Sequence, residues 1–479
     1  RNGVEDVEVV EPLTNYTVAR VQKNWKGNTL LGGMVTSVNR ALDQPYLEDF
    51  MVRNAFTAGI DFTQYFKNRL YYIDVKGMLS SLHGSAGAIT ALQNSVAHYY
   101  QRASSADYLG VDPTRRSLTG TGGYVKVGRK GNAKWNFSET FTWSSPGFDL
   151  NDMGYMKETD YLMNETEIMY RQTDIWKIFR YNAFTLSQKN MWNYGGTPFS
   201  NNASLRWQSM TMNRYEWDVK ETFAWNWLDS RLLRGGPDVR FGSYFLTSAK
   251  FNTDKAKRMM FMLKYEGDHN FEGNRFNTIS PSLTFRLGNH VYLSGQLDYA
   301  WNTDEMQYVA TTSPLSSSSL APYYYVMGHM DQKTYGLTLK LQVNVTPDIS
   351  IQFYGAPFTS IAKYDDFKLA ADTKSHTFEN RFQRIDPDQL TYADGVYTIG
   401  EGAGQMPFRN PDFRFNEFRS NLVARWEYLP GSTLYFVWEH RMSNRDNWYS
   451  SGWGSNLDRM WGLPATNTFM IKMNYWFNL

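Results

Sequence analysis

The chain has 479 residues, a net charge of +2 at pH 7, no cysteine, and aromatic residues at 16% of its positions. The near-neutral charge gives no reason to propose nucleic acid as a partner, and the absence of cysteine fits an oxidising compartment. The aromatic content is high for a soluble protein and usual for membrane β-barrels, while no run of about 18 apolar residues predicts a transmembrane helix.

Stretches in which apolar and polar residues alternate recur along the whole chain. The clearest of them, in chain order, are 56–62, 71–79, 291–301, 335–346, 417–428 and 469–479. Successive side chains of a β-strand point to opposite faces, so each stretch offers one apolar face and one polar face. Most of them are longer than the five or six residues usual in a soluble β-sandwich, which favours the strands of a barrel that crosses a membrane.

The connections between these stretches fall into two classes that alternate along the chain. Short ones carry turn-forming residues, as at 26–28, 130–132 and 430–432. The long ones are 40–53, 82–116, 145–160, 229–237, 302–333, 362–411 and 444–465. Short turns at one end and long loops at the other are typical of bacterial outer-membrane barrels, whose long loops are extracellular.

We therefore predict an all-β fold, a single large antiparallel transmembrane outer-membrane β-barrel of about 18 to 22 strands, about 19 of them within residues 1–479. An odd number is unusual because bacterial single-chain barrels normally have an even number of strands. We expect further strands, and an N-terminal domain with them, before Arg1. The last strand, 469–479, would then pair with a first strand upstream of Arg1.

A barrel of this size left open would leak, so we expect a segment of the protein to fill or cover it. The two candidates within the sequence are the long loops 362–411 and 82–116, each a possible lumen plug or lid. The stretch 85–102 is rich in alanine and lacks proline. It therefore predicts a short helix within the second of these loops.

Two sequence segments carry most of a resemblance to a known family. Residues 145–154 read Ser-Pro-Gly-Phe-Asp-Leu-Asn-Asp-Met-Gly, and residues 118–126 read Leu-Thr-Gly-Thr-Gly-Gly-Tyr-Val-Lys. Together with 27–39, 428–438 and 467–472, they resemble the barrel region of a domain-of-unknown-function family of outer-membrane proteins. The resemblance implies a barrel in the outer membrane of a Gram-negative bacterium. It also implies an N-terminal module similar to family-nine carbohydrate-binding modules, and hence a glycan as partner, but no agreed biochemical activity.

The sequence contains no recognisable catalytic or cofactor-binding motif. Walker, His-Glu-x-x-His, Gly-x-Ser-x-Gly and Cys-x-x-Cys patterns are absent, and the seven histidines show no metal-ligand spacing. No nucleophile, base and orienting group can be assembled from it. We therefore predict a protein that is not an enzyme, with no catalytic residues, no metal and no cofactor.

Charged residues of both signs occupy the polar face of the predicted strands. The residues that we expect to face the lumen are Asp74, Lys76, Asp218, Lys220, Asp298, Lys340, Glu417, Arg419, Arg425, Glu427 and Lys472. A strongly selective pore would tend towards one sign. The mixture indicates either a lumen crossed by salt bridges or a wide channel with weak preference.

The loop 444–465 is the candidate ligand-binding surface. Its aromatic residues Trp448, Tyr449, Trp453 and Trp461 lie among hydrogen-bonding side chains, a combination that suits a sugar ring or a protein partner. The alternative is that these rings pack against neighbouring loops.

The leading prediction for function is a non-enzymatic integral outer-membrane β-barrel that binds or admits an extracellular ligand. Two alternatives remain open. One is a structural or scaffolding subunit of an outer-membrane complex, whose partners would be surface lipoproteins or another barrel. The other is the barrel of a TonB-dependent receptor. In every case the outer surface of the barrel would contact outer-membrane lipid and lipopolysaccharide.

Overall fold

The computed structural model describes residues 9–102, 107–131, 133–225, 227–315, 323–446 and 453–477. Twenty of its strands form one antiparallel sheet, and five form two small sheets. The strands are β1 (Thr14–Trp25), β2 (Thr29–Arg40), β3 (Asn54–Phe66), β4 (Tyr71–His83), β5 (Ser117–Arg129), β6 (Trp135–Ser144), β7 (Tyr161–Gln172), β8 (Phe179–Trp192), β9 (Pro198–Thr211), β10 (Glu216–Trp225), β11 (Trp227–Asp229), β12 (Val239–Phe241), β13 (Tyr244–Asn252), β14 (Met259–Asn270), β15 (Arg275–Leu287), β16 (Val291–Thr312), β17 (Tyr324–Asn344), β18 (Ile349–Ala370), β19 (Phe382–Arg384), β20 (Leu390–Ala393), β21 (Val396–Ile399), β22 (Met406–Arg409), β23 (Phe413–Leu429), β24 (Ser432–Asp446) and β25 (Thr466–Asn474).

The large sheet is the wall of the predicted barrel. Apart from the three-residue strand β19, which lies along β18, it consists of nineteen long strands, each hydrogen-bonded to the next along the chain. Alternation of apolar and polar residues, with many aromatic and β-branched side chains, favours this extended pairing. The predicted all-β antiparallel fold and the number of strands are confirmed.

The two ends of the wall differ as the sequence predicts. At the end that we call the short end, the connections have two to six residues. Left-handed backbone at Lys26, Gly27 and Gly431 closes two of these turns. At the opposite end, which we call the long end, lie the connecting segments 41–53, 84–116, 145–160, 226–243, 313–323, 371–412 and 447–465, together with two tight hairpins at 193–197 and 271–274.

Two predicted loops are wrong in their bounds because strands continue into them. β16, β17 and β18 have 22, 21 and 22 residues, so the expected loops 302–333 and 362–411 begin or end inside strands. The register of β16 against β17 shifts twice, and the register of β17 against β18 shifts once. Such bulges interrupt the period of two on which strand prediction relies, so the alternation fades where the hydrogen bonding continues.

Three short helices lie in the long-end segments: α1 (Pro45–Glu48), α2 (Ala86–Gln93) and α3 (Trp453–Met460). The helix predicted within 85–102 is confirmed by α2. Ser85 caps it, since its side-chain oxygen accepts a hydrogen bond from the backbone N–H of Ala88 at 3.0 Å. Among the described residues, no helix is both long and apolar enough to cross a membrane.

The three longest strands extend past the others and form part of an ordered head at the long end. Two hydrophobic cores lie against this ribbon, one around Met327 and one around Val326. Because these residues are neighbours on one strand, the two cores lie on opposite faces of the ribbon. Leu233 and Val239 of segment 226–243 complete the first core, while β20–β22 pack into the second.

Candidate functional site: a cavity under an inward segment

One face of the wall is covered by segments from the long end, and we call it the inner face. It bears Ser80, Leu82 and Gly122, which contact the segments 145–160 or 84–116. The opposite, outer face bears exposed apolar side chains such as Ile60 and Leu79. Residues that are paired across neighbouring strands lie on the same face of the sheet. The register therefore assigns the residues of every strand from β1 to β25 to the inner or the outer face.

Glycines of β5 allow segment 145–160 to lie directly against the inner face. A Cβ atom on Gly120 would lie 2.1 Å from the backbone nitrogen of Phe148, and one on Gly122 would lie 2.5 Å from the Phe148 ring. On the other side of the contact, a Cβ on Gly147 would lie 2.4 Å from the carbonyl oxygen of Thr119. The two segments that carry the family resemblance therefore pack against each other, and glycine is required for their close approach.

Polar contacts hold the same segment in place. The backbone N–H of Asp149 donates to the hydroxyl of Ser80 at 2.9 Å, and the Asp149 carboxylate lies 2.9 Å from Nε2 of His98. Nδ1 of His98 lies 2.9 Å from the carbonyl oxygen of Pro146. These side chains are buried, so each contact replaces a hydrogen bond to water that is lost on folding.

A second buried group joins the covering segments to each other. The guanidinium of Arg102 donates to Asp160 at 2.6 Å, as does the hydroxyl of Tyr108, also at 2.6 Å. Burial raises the pKa of Tyr108, and the adjacent carboxylate raises it further. The phenol therefore stays protonated and remains a hydrogen-bond donor. The backbone N–H of Tyr194, from a tight hairpin at the long end, also donates to Asp160.

Between the inner face and segment 145–160 lies a cavity of about 440 Å³. Asp149, Asp152 and Met153 line it from the segment, and β1–β4 line it with side chains that include Arg20, Met34, Asp61, Asp74, Lys76 and Met78. An ion pair of 2.6 Å between Arg40 and Asp152 ties the segment to β2 beside this space. Methionine side chains supply adaptable apolar surface, and the carboxylates supply hydrogen-bond acceptors. The cavity therefore suits a ligand with both apolar and hydroxyl or amine groups.

The charged residues predicted for the lumen share one face. The register links all of them to the inner face, strand by strand: Asp74, Lys76, Asp218, Lys220, Asp298, Lys340, Glu417, Arg419, Arg425, Glu427 and Lys472. Asp74 and Lys76 line the cavity. Several of the others have partners of opposite charge, such as Arg206 for Asp218 and Arg425 for Glu427. This pairing is what a lumen crossed by salt bridges requires, while the wide channel with weak preference stays open as the other prediction.

The aromatic residues of the predicted ligand site do not line the cavity in the part of the chain that the structure describes. Trp448 and Tyr449 lie outside the described residues, and Trp453 begins α3, where its side chain is not described. Trp461 is 56% exposed and packs against Phe418 with 4.9 Å between ring centroids. Phe418 belongs to the outer face by its register, so Trp461 lies on the other side of the wall from the cavity.

Sequence reasoning missed the residues that build the cavity roof. Asp149 and Asp152 lie in the segment 145–154, which carries the family resemblance but shows no sequence pattern typical of a binding site. Arg40 is the first residue of the predicted loop 40–53. One feature of the sequence points to this contact. Both segments that carry the family resemblance, 118–126 and 145–154, contain glycines, and glycine allows close approach of another backbone. Among the described residues, no group of three or more His, Asp or Glu side chains is arranged to hold a metal ion.

A histidine in the head lies among carboxylates. His329 is on the part of β17 that extends past the stacked outer-face rings of Tyr299 and Tyr335, and its Nδ1 lies 3.1 Å from Glu305. Burial opposes protonation of this imidazole, but the carboxylate of Glu305, with Asp331 and Asp365, outweighs burial and raises its pKa. The charged pair stabilises the head when the imidazole is protonated.

The raised pKa of His329 predicts a pH dependence of stability. The stabilisation is fully present below the ordinary histidine value near pH 6.5 and is lost as the pH rises through the raised pKa. We expect the thermal midpoint of the wild type to fall over this upward range, and His329→Gln to flatten that fall. Thermal unfolding in detergent at a series of pH values measures it, with His290→Gln at the short end as control. Equal slopes for His329→Gln and the wild type would contradict the assignment.

Comparison with known proteins identifies the family of the chain. The family model described as "Domain of unknown function (DUF5916)" matches residues 1–479. Comparison with proteins of curated function finds no match. Among solved structures, the siderophore receptor PirA from Acinetobacter baumannii is similar at a TM-score of 0.36 and 9% identity, over 88% of this chain and 70% of the receptor. That likeness is too weak to support a conclusion about function.

Proposed function

The chain belongs to the family of unknown function DUF5916, and from its geometry we propose an outer-membrane β-barrel that binds or admits an extracellular ligand. The observation that carries the proposal is the cavity between the inner face and segment 145–160, a segment that connects two strands at the long end of the wall. Glycine contacts and buried ion pairs hold this segment over a polar lumen. A segment in that position is suited to close the path along the lumen. The outer face would contact outer-membrane lipid and lipopolysaccharide.

A glycan or glycan fragment is the ligand that we propose within this function. Support comes from two sources. The first is the resemblance to barrels that follow a carbohydrate-binding module. The second is the chemistry of the cavity, where Asp61 and Asp74 offer carboxylate oxygens to hydroxyl groups. We propose no catalytic role for the protein, since the sequence carries no recognisable catalytic motif.

Conductance across a planar lipid bilayer tests the role of segment 145–160. We expect the wild type to conduct weakly and a deletion of residues 146–158 to conduct at least several-fold more, since the roof of the cavity is then gone. A deletion of equal length in the head, residues 387–399, is the matched control and should leave conductance unchanged. Unchanged conductance after the first deletion would overturn the proposal. An increase after the head deletion alone would make segment 371–412 the plug.

A second candidate function is a structural subunit of a larger outer-membrane complex. The head favours it, because β16–β18 and their two hydrophobic cores hold a rigid surface beyond the wall. Exposed Tyr323 and Tyr392 on that head are suited to a protein partner such as a surface lipoprotein or another barrel. Purification in mild detergent tests this function. Recovery of the barrel alone would count against it.

A further inference from the structure

The first and last strands of the wall run in the same direction. β1 leaves the long end at Thr14 and reaches the short end at Trp25. β25 also starts at the long end, at Thr466, and finishes at the short end with Asn474. Each of the strands between them is antiparallel to both of its neighbours in the wall. A direct pairing of β1 with β25 would therefore be the one parallel pair in an antiparallel wall.

Both strands have one edge without a strand beside it among the described residues. β1 pairs with β2 alone and β25 with β24 alone. All nine residues of β25 and eleven of the twelve in β1 are exposed, whereas the strands between them are largely half-buried. Val21 and Ile471, both on the outer face, are 76% and 72% exposed. Such edges present a row of unpaired backbone N–H and C=O groups.

Both edges lack the short length, the bulges and the prolines that usually protect a sheet edge, although each carries one inward charge, Arg20 in β1 and Lys472 in β25. Natural edge strands are usually short, bulged, or interrupted by proline or inward charges. β1 and β25 pair with their single neighbours without a register shift and contain no proline. The charged residues are Arg20 and Lys23 among the twelve of β1 and Lys472 among the nine of β25. Two long, regular and mostly uncharged edges are what a strand-accepting surface requires.

We propose that one further strand of the same polypeptide inserts between β1 and β25 and closes the wall. This strand runs from the short end to the long end, so that both of its pairings are antiparallel and the total becomes even. It has about ten residues that alternate between apolar and polar, with the apolar ones on the outer face beside Val21 and Ile471.

The course of the chain before β1 supports a strand from the same polypeptide. Residues 9–13 lie at the long end, where the carbonyl oxygen of Leu13 accepts a hydrogen bond from Ala41 and that of Val9 from the hydroxyl of Tyr46. A strand that enters β1 through a long-end connection is antiparallel to it by construction. The inference does not depend on the proposed ligand or on the role of segment 145–160.

Cysteine cross-linking in the natural-length protein measures the distance between the two edges. Residues 1–479 contain no cysteine, and any cysteine elsewhere in the polypeptide is first replaced by serine, so that pairs such as Val21→Cys with Phe469→Cys, Ile471→Cys or Met473→Cys report without background. With a strand inserted, β1 and β25 are about 9.5 Å apart, too far for a disulfide. We expect no disulfide under oxidation and efficient bridging by a bismaleimide of matching length. Leu434→Cys with Met473→Cys, register partners on β24 and β25, should form a disulfide directly.

Two further measurements keep the proposal open to refutation. A disulfide between β1 and β25 would establish parallel closure and overturn it. Amide exchange of the wild type provides a readout without substitutions, and rapid exchange of both edge strands would also overturn it. A photo-crosslinker at Val21 should give a product within one polypeptide. A product with a second polypeptide would reject a strand from the same chain, whatever the conductance experiment shows.

Discussion

Gly120→Ala is expected to release segment 145–160 from the inner face. The added methyl group would lie 2.1 Å from the backbone nitrogen of Phe148 and 2.4 Å from the carbonyl carbon of Gly147, so a backbone must move. Overpacking of a tight contact costs about 1–3 kcal/mol, which raises the population of the open segment by roughly 5- to 150-fold. The same displacement lengthens the contacts of Asp149 with Ser80 and His98.

Amide exchange in detergent measures this opening in the peptides that cover 145–160. Gly336→Ala is the matched control, because it also adds a methyl group on the inner face but meets its nearest atom at 3.6 Å. We expect faster exchange for Gly120→Ala and wild-type exchange for Gly336→Ala. The effect should be confined to the covering segments, since the strands of the wall keep their hydrogen bonds. Equal exchange in the two variants would mean that the glycine contact does not hold the segment.

The wall could be predicted from sequence because one physical rule governs it. A strand between water and an apolar phase must alternate, and the alternation in 335–346 or 469–479 is visible without any structure. Turn-forming residues such as Gly27 and Gly431 likewise predict the positions of the short-end turns from the sequence alone. Where bulges enter β16 and β18, the rule fails and the predicted bounds fail with it.

The cavity could not be predicted because its residues are brought together by tertiary contacts. Asp152 is 112 positions after Arg40 in the sequence, and nothing local to either residue indicates the pair. The glycines at 120 and 122 suggest close approach of a backbone but not which one. The charged residues of the inner face follow from alternation, whereas their ion-pair partners depend on the register. The aromatic residues of 444–465 suggest a binding surface by composition alone, whereas the structure places Trp461 on the outer side of the wall.

The buried pair of Arg381 and Glu272 is expected to show the largest effect on the head. Two hydrogen bonds, of 2.7 and 2.9 Å, join the guanidinium to the carboxylate, and Arg381 is 1% exposed. Arg381 also donates to the backbone carbonyls of Arg240 and Ser375, while Glu272 accepts from the N–H of Gly242. The pair therefore ties segment 371–412 to segment 226–243 and to a tight hairpin of the long end.

Arg381→Met should destabilise this junction by about 3–5 kcal/mol, because it leaves the mostly buried Glu272 carboxylate without its charged partner. Arg419→Met is the control, since Arg419 pairs with Glu417 at 2.8 Å but is 58% exposed, and such pairs contribute about 0–1 kcal/mol. Amide exchange in 371–384 and 227–243 measures the difference. The double variant Arg381→Met with Glu272→Met should recover part of the loss, because the unpaired charge is then gone. If Arg381→Met changed exchange no more than Arg419→Met, the head would be held by its hydrophobic cores alone.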